Sequence, residues 1–181
     1  MIDQRRLVLP NCLPTYMKGI YILLGSNLLD RVKNLEKAEE LLSVRDISIL
    51  HKSSIYQSEP WGIADQPTFL NSVLSVSTHL SADLLLQSCL QVETEMGRVR
   101  VKKWGERLID IDILYFNDQI IDSESLTVPH PGILDRRFTL LPLVEIAKNE
   151  KHPIAGLTQW ALLERCSDTL NCHIYEEKSI I

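Results

Sequence analysis

The run Leu108 to Phe116, LIDIDILYF, constrains this chain most: it is apolar throughout except for Asp110 and Asp112. Its alternation and its β-favouring residues predict a buried strand. Residues i and i+2 of a strand share a face, so the two carboxylates stand side by side, roughly 6.5–7 Å apart at the backbone. Ile109, Ile111 and Ile113 take the other face. Two acids in such a strand repel each other and lose hydration, so the fold must supply a compensating cation. A hard divalent metal such as Mg²⁺ does this, held by one or two carboxylates and by substrate phosphates.

The residues just before the strand favour that reading. Gly97 to Arg107 carries Arg98, Arg100, Lys102, Lys103 and Arg107 around Trp104. Guanidinium groups make forked bonds to phosphate oxygens, and ammonium groups act as point charges. A lone D-x-D is weak, and a lone basic loop is usually a solvated surface. Together they are the equipment of phosphoryl transfer.

A chain of 181 residues with 45% hydrophobic and 24% charged residues is enough for one packed domain. A net charge of −5 argues against a nucleic-acid protein, and the concentration of positive charge in one loop suits a small anion better than a polyanion. Cys12, Cys89, Cys166 and Cys172 form no C-x-x-C pair. They predict neither zinc nor a disulfide framework. With no apolar run of membrane length and no signal peptide, the expectation is a cytoplasmic protein that works as a monomer without membrane partners.

Residues 1–18, with Pro10 and Pro14, are expected to be a loose extension, and 19–181 a single domain. Strands are predicted at Ile20 to Leu24, Ile47 to Tyr56 and Phe69 to Thr78, and a weak one around His173 to Tyr175. Gly25-Ser26-Asn27 reads as a turn and cap before a helix with apolar Leu28, Val32, Leu35, Ala38 and Leu42. Ser81 caps a second helix that ends at Gly97; a third runs to Ala147; Thr158 caps the last. The order is βαββαβ with C-terminal additions. That is a ferredoxin-like α+β plan: an antiparallel sheet with helices on one face.

Several motifs carry a family resemblance in order: YILLGSN at Tyr21 to Asn27, YQSEPWG at Tyr56 to Gly62, DQPTFLN at Asp65 to Asn71, RVR and WGxR followed by IDIDIL, then LTVPHP at Leu126 to Pro131 and RRF at Arg136 to Phe138. The chain resembles the 6-hydroxymethyl-7,8-dihydropterin pyrophosphokinases of folate biosynthesis from Tyr21 to about Ile146. The resemblance implies transfer of a pyrophosphoryl group from ATP to a reduced pterin alcohol, with AMP as product. It implies that Asp110 and Asp112 hold two Mg²⁺ ions and that Arg98 and Arg107 stabilise charge on the moving group. Glu93, Arg100, Trp104, Ile113, Thr127, His130 and Arg136 are implied on the ATP side. The pterin would stack between Phe69 and Phe138, its polar edge read by Asn71, Asp110 and the backbone near Ser58, Glu59 and Trp61. Glu106 departs from the family's usual proline, and Lys103 from the commoner arginine.

Taken without the resemblance, Phe69 and Phe138 read more readily as core than as ligand contacts, Asn71 also as a turn-adjacent surface residue, and His130 equally as an exposed one. Two other functions use the same residues. A metal-dependent phosphohydrolase would need a further His/Asp cluster, and a nucleotide sensor would bind ATP without turnover. Like charges in the loop 97–107 predict that it is mobile until a triphosphate draws it inward.

Overall fold

The computed structural model describes residues 16–62, 65–97 and 106–177. In chain order its elements are β1 (Ile20–Ser26), α1 (Arg31–Ser43), β2 (Ser48–Lys52), β3 (Tyr56–Ser58), β4 (Phe69–Ser77), α2 (Ala82–Glu95), β5 (Asp110–Phe116), β6 (Ile121–Asp122), β7 (Thr127–Val128), a 3-10 turn (Pro131–Ile133), α3 (Arg137–Ala147), α4 (Gln159–Arg165) and β8 (Cys172–Ile174). The main sheet is antiparallel in the order β5-β1-β4-β3-β8, with β2 also pairing β4. The two-residue strands β6 and β7 pair separately.

The central strand β1 is buried at every position. Both sides of the sheet are covered, which removes the polar half of the usual alternation. Ile20, Ile22 and Leu24 join Leu35, Leu42, Leu85, Val92, Ile111 and Ile113 in the core beneath α1 and α2. Tyr21 and Leu23 join Val73, Tyr115, Leu140, Leu143 and Leu162 beneath α3 and α4. Helices on one face only is therefore corrected: the C-terminal helices close the opposite face.

Other differences are local. The expected strand from Ile47 to Tyr56 is two strands, bridged at the break by Ser53, whose Oγ accepts from Val73 N at 2.9 Å. The first helix is capped by Asp30, which accepts from Lys33 N at 3.2 Å, rather than by the Gly25-Ser26-Asn27 turn. Ser26 belongs to β1, and Asn27 is engaged elsewhere. Ser81 and Thr158 cap α2 and α4 as expected. Gly97 follows α2 with φ of +85°, a conformation that favours glycine. Met17, at the end of the expected loose extension, is fully buried in the second core and donates from its backbone to Lys151 O at 3.1 Å.

Candidate functional site

The candidate site lies on the sheet face that α3 and α4 cover, beside the start of α3 at Arg137. One row runs across four strands: Tyr56 on β3, Asn71 on β4, Gly25 on β1 and Asp110 on β5. A row below, Leu23 stands between Val73 and Asp112. Gly25 makes the row concave. A Cβ there would stand 3.2 Å from Asn71 Oδ1 and 3.9 Å from the Cβ of Asp110. An amide and a carboxylate thus flank a trough that a larger residue would fill.

Asp110 and Asp112 lie on this face, and Ile111 and Ile113 point into the opposite core. Ile113 therefore has only its backbone to offer toward a ligand. Arg107 donates from Nη1 to Asp110 Oδ2 at 2.6 Å, with both groups largely buried. Burial, then the Asp110 charge, push the Asp112 carboxyl up to about 7, and Glu93 adds to this, while Arg136 and Arg107 hold it down. β5 is an edge strand with outward N–H groups to satisfy. Glu93, 3% exposed in the last turn of α2, accepts from Ile111 N at 2.8 Å, so it faces β5 rather than water.

The carboxylate pair has the chemistry of an Mg²⁺ site: hard oxygen donors whose crowding is costly without a cation. Among the described residues no group of three His, Cys, Asp or Glu could cage a metal.

His130 follows the cis peptide Val128–Pro129. Its Nδ1 accepts from Gly132 N at 3.0 Å, so in the neutral ring Nε2 carries the proton. Burial and the Arg136 charge lower its pKa to about 4. The imidazole is thus a neutral donor at physiological pH. Its backbone N donates to Leu114 O at 2.9 Å, fastening this segment to β5.

The aromatic side of the site lies at the start of α3. Trp61 meets Phe138 edge-on at 6.4 Å between centroids. The Arg136 guanidinium lies 6.0 Å from the Trp61 ring and 5.9 Å from Phe138. Gly132 makes room for it, since a Cβ there would meet that guanidinium at 2.6 Å. Asn71, 2% exposed, donates from Nδ2 to Ser58 Oγ at 2.9 Å. Phe69 is part-buried at the end of β4, opposite Ser58. Glu59 N is already given to Asn171 O at 3.1 Å, so that amide is taken from the predicted edge-reading set. Thr127 is exposed on β7. Arg98, Arg100, Lys102, Lys103 and Trp104, and most of the loop predicted to be mobile, lie outside the described residues.

Sequence reasoning missed Asn27 and Gly132. Asn27, 1% exposed, accepts from Arg107 N at 2.8 Å through Oδ1 and donates from its own N to Arg107 O at 3.2 Å. Its Nδ2 donates to Gln66 Oε1 at 3.3 Å. It ties the arginine segment to the loop before β4. The signal was an Asn after a buried strand, which resembles a cap.

The profile of the 7,8-dihydro-6-hydroxymethylpterin-pyrophosphokinase (HPPK) family matches residues 21–148. The chain is 44% identical over 142 residues to the 2-amino-4-hydroxy-6-hydroxymethyldihydropteridine pyrophosphokinase of Aquifex aeolicus, covering 76% of this chain and 86% of that one. Against the Haemophilus influenzae protein of the same name it is 42% identical over 130 residues, covering 71% and 81%. It is 40% identical over 167 residues to a folic acid synthesis protein of Pneumocystis carinii, covering 90% of this chain but only 23% of that longer one. Its fold is similar to the crystal structure of a Plasmodium falciparum HPPK-DHPS with pteroate, with a TM-score of 0.65 at 17% identity, covering 81% of this chain and 42% of that one.

Proposed function

The chain belongs to the 7,8-dihydro-6-hydroxymethylpterin-pyrophosphokinase family, and from that premise we propose that it transfers the pyrophosphoryl group of ATP to the hydroxymethyl oxygen of 6-hydroxymethyl-7,8-dihydropterin in folate biosynthesis. One observation carries the reading: a carboxylate pair and an amide beside an aromatic pair share one sheet face, with Gly25 between Asn71 and Asp110. We read the connectivity as ferredoxin-like, since the strand from each βα unit lands beside its counterpart in one antiparallel sheet.

The pterin lies in the slot, its face on Phe138, Phe69 and Trp61, its polar edge on Asn71, which has both donor and acceptor. Its hydroxymethyl arm reaches over Gly25 toward Asp110. The triphosphate lies along Arg107, Arg136 and the Nε2–H of His130, joined by Arg98 and Arg100 from the preceding loop. Asp110 and Asp112 would hold two Mg²⁺ ions, which would supply charge neutralisation for the phosphates and acidify the acceptor hydroxyl. The hydroxymethyl oxygen forms a bond to the β-phosphorus, the bond from that phosphorus to the α,β-bridging oxygen breaks, and the oxygen keeps the electron pair and leaves on AMP; the hydroxyl proton passes to solvent. Positioning and fixed charge account for most of the acceleration, as is general for phosphoryl transfer.

The test is to supply ATP, Mg²⁺ and the reduced pterin alcohol and to follow AMP. AMP formed in step with pterin diphosphate is expected. Inorganic phosphate instead would mark a phosphohydrolase, and ATP binding without AMP a sensor.

A further inference from the structure

We infer that the C-terminal segment 166–174, with Asp168 as its key residue, positions both walls of the pterin slot. This rests on the slot reading above. The segment lies wholly beyond the family-matched residues 21–148, yet it is fastened to each wall. On one wall, Arg136 provides no side-chain cap for α3. Asp168, 8% exposed, supplies it from a distance in sequence: Oδ2 accepts from Arg137 N at 2.9 Å. Its Oδ1 accepts from Leu170 N at 3.0 Å, so the carboxylate also fixes its own turn. A carboxylate suits a helix N-terminus electrostatically as well as by its hydrogen bond. The next residue along α3 is Phe138.

On the other wall, β8 pairs with β3 through Cys172 and Ser58. One step further, Glu59 N donates to Asn171 O at 3.1 Å and Asn171 N donates to Glu59 Oε2 at 3.0 Å. Trp61 is two residues on. Only Thr169 and Leu170 separate Asp168 from Asn171, so one short turn links the amide before Phe138 to the loop bearing Trp61. That brace sets the spacing at which the two rings meet. Neither anchor hydrogen-bonds Asp110 or Asp112, so the larger effect falls on the pterin, and only Arg136, next to the capped residue, passes a smaller one to ATP.

The experiment compares KM for pterin and for ATP in the full-length wild type, Asp168→Ala, Asp168→Asn and Gln159→Ala. Gln159 is a buried control at the start of α4: it accepts from Tyr115 Oη at 3.1 Å, and its amide donates to Met17 Sδ and Glu150 O, away from both walls. Loss of the cap in Asp168→Ala is expected to raise the pterin KM about tenfold while the ATP KM stays within about twofold. Asp168→Asn keeps one acceptor and is expected to show about a threefold rise. Gln159→Ala is expected to lower Tm and move neither KM. Should Asp168→Ala yield no folded protein, Asp168→Asn decides alone. An unchanged pterin KM, or equal shifts in both constants, overturns the brace. A wild type that makes no AMP overturns the function instead, and a wild type that does so leaves the variants to judge the brace by itself.

Discussion

Beneath α1 and α2 the sheet presents Ile20, Ile22, Leu24, Ile111 and Ile113 to an aliphatic core. Beneath α3 and α4 the same strands present Tyr21, Leu23 and Tyr115, with Tyr21 donating to Glu150 Oε1 at 2.8 Å and Tyr115 to Gln159. Higher on that second face come Asn71, Gly25, Asp110 and Asp112. The first face therefore holds the molecule together, and the second also carries polar and charged groups beside the start of α3. A sheet can carry a costly cluster on one side only if the other side is dry enough to sustain it.

The sharpest way to separate the faces is to remove Asp112. Asp112→Ala is expected to cost turnover about 10³-fold or more, the scale of a lost charge stabiliser, without lowering Tm. A variant with near-normal AMP formation would break the comparison.

Cutting into the dry face should do the reverse. Leu35 is fully buried there, and Leu35→Ala is expected to cost about 2–5 kcal/mol in denaturant unfolding. Its KM values at a temperature where it stays folded should match the wild type.

Asn27 sits where the two demands meet, since its side chain holds Arg107 and Gln66. Asn27→Ala is expected to slow turnover about tenfold, by misplacing Arg107, and to cost about 1–3 kcal/mol from unsatisfied amides. Steady-state rates and unfolding curves on one preparation would show whether both losses occur.

The smallest effect is in pH. Asp112 holds its proton more tightly folded than unfolded, so its contribution to stability falls as pH rises from the ordinary carboxylate range to about 7. His130 binds its proton less tightly folded, so its contribution rises with pH from about 4 to its ordinary value of 6.5. The two oppose each other over most of that range. Without metal, Asp112→Asn is expected to be more stable than wild type at pH 8, by on the order of 2 kcal/mol. Added Mg²⁺ should raise the Tm of the wild type and not of the variant. Equal responses would place the cation elsewhere.

Much of this was legible in the chain. The alternation in IDIDIL put Asp110 and Asp112 on one strand face, and the caps at Ser81 and Thr158 followed from local rules. Asn27 was misread because a side chain can cap its own helix or bind a segment 80 residues away, and spacing does not choose. Trp61 was expected to matter through its backbone, yet its ring is what meets Phe138.

Residue order by itself determined the elements, the pairing of acids on one ribbon and the cationic stretch before it, because these follow from periodicities of two and 3.6 and from charge. Tertiary structure alone decided that α3 and α4 cover the second face, that Gly25 opens a trough between Asn71 and Asp110, and that Asp168 caps a helix begun 31 residues earlier. Those depend on which distant segments meet, and that is settled by burying the whole apolar surface at once rather than by any local preference.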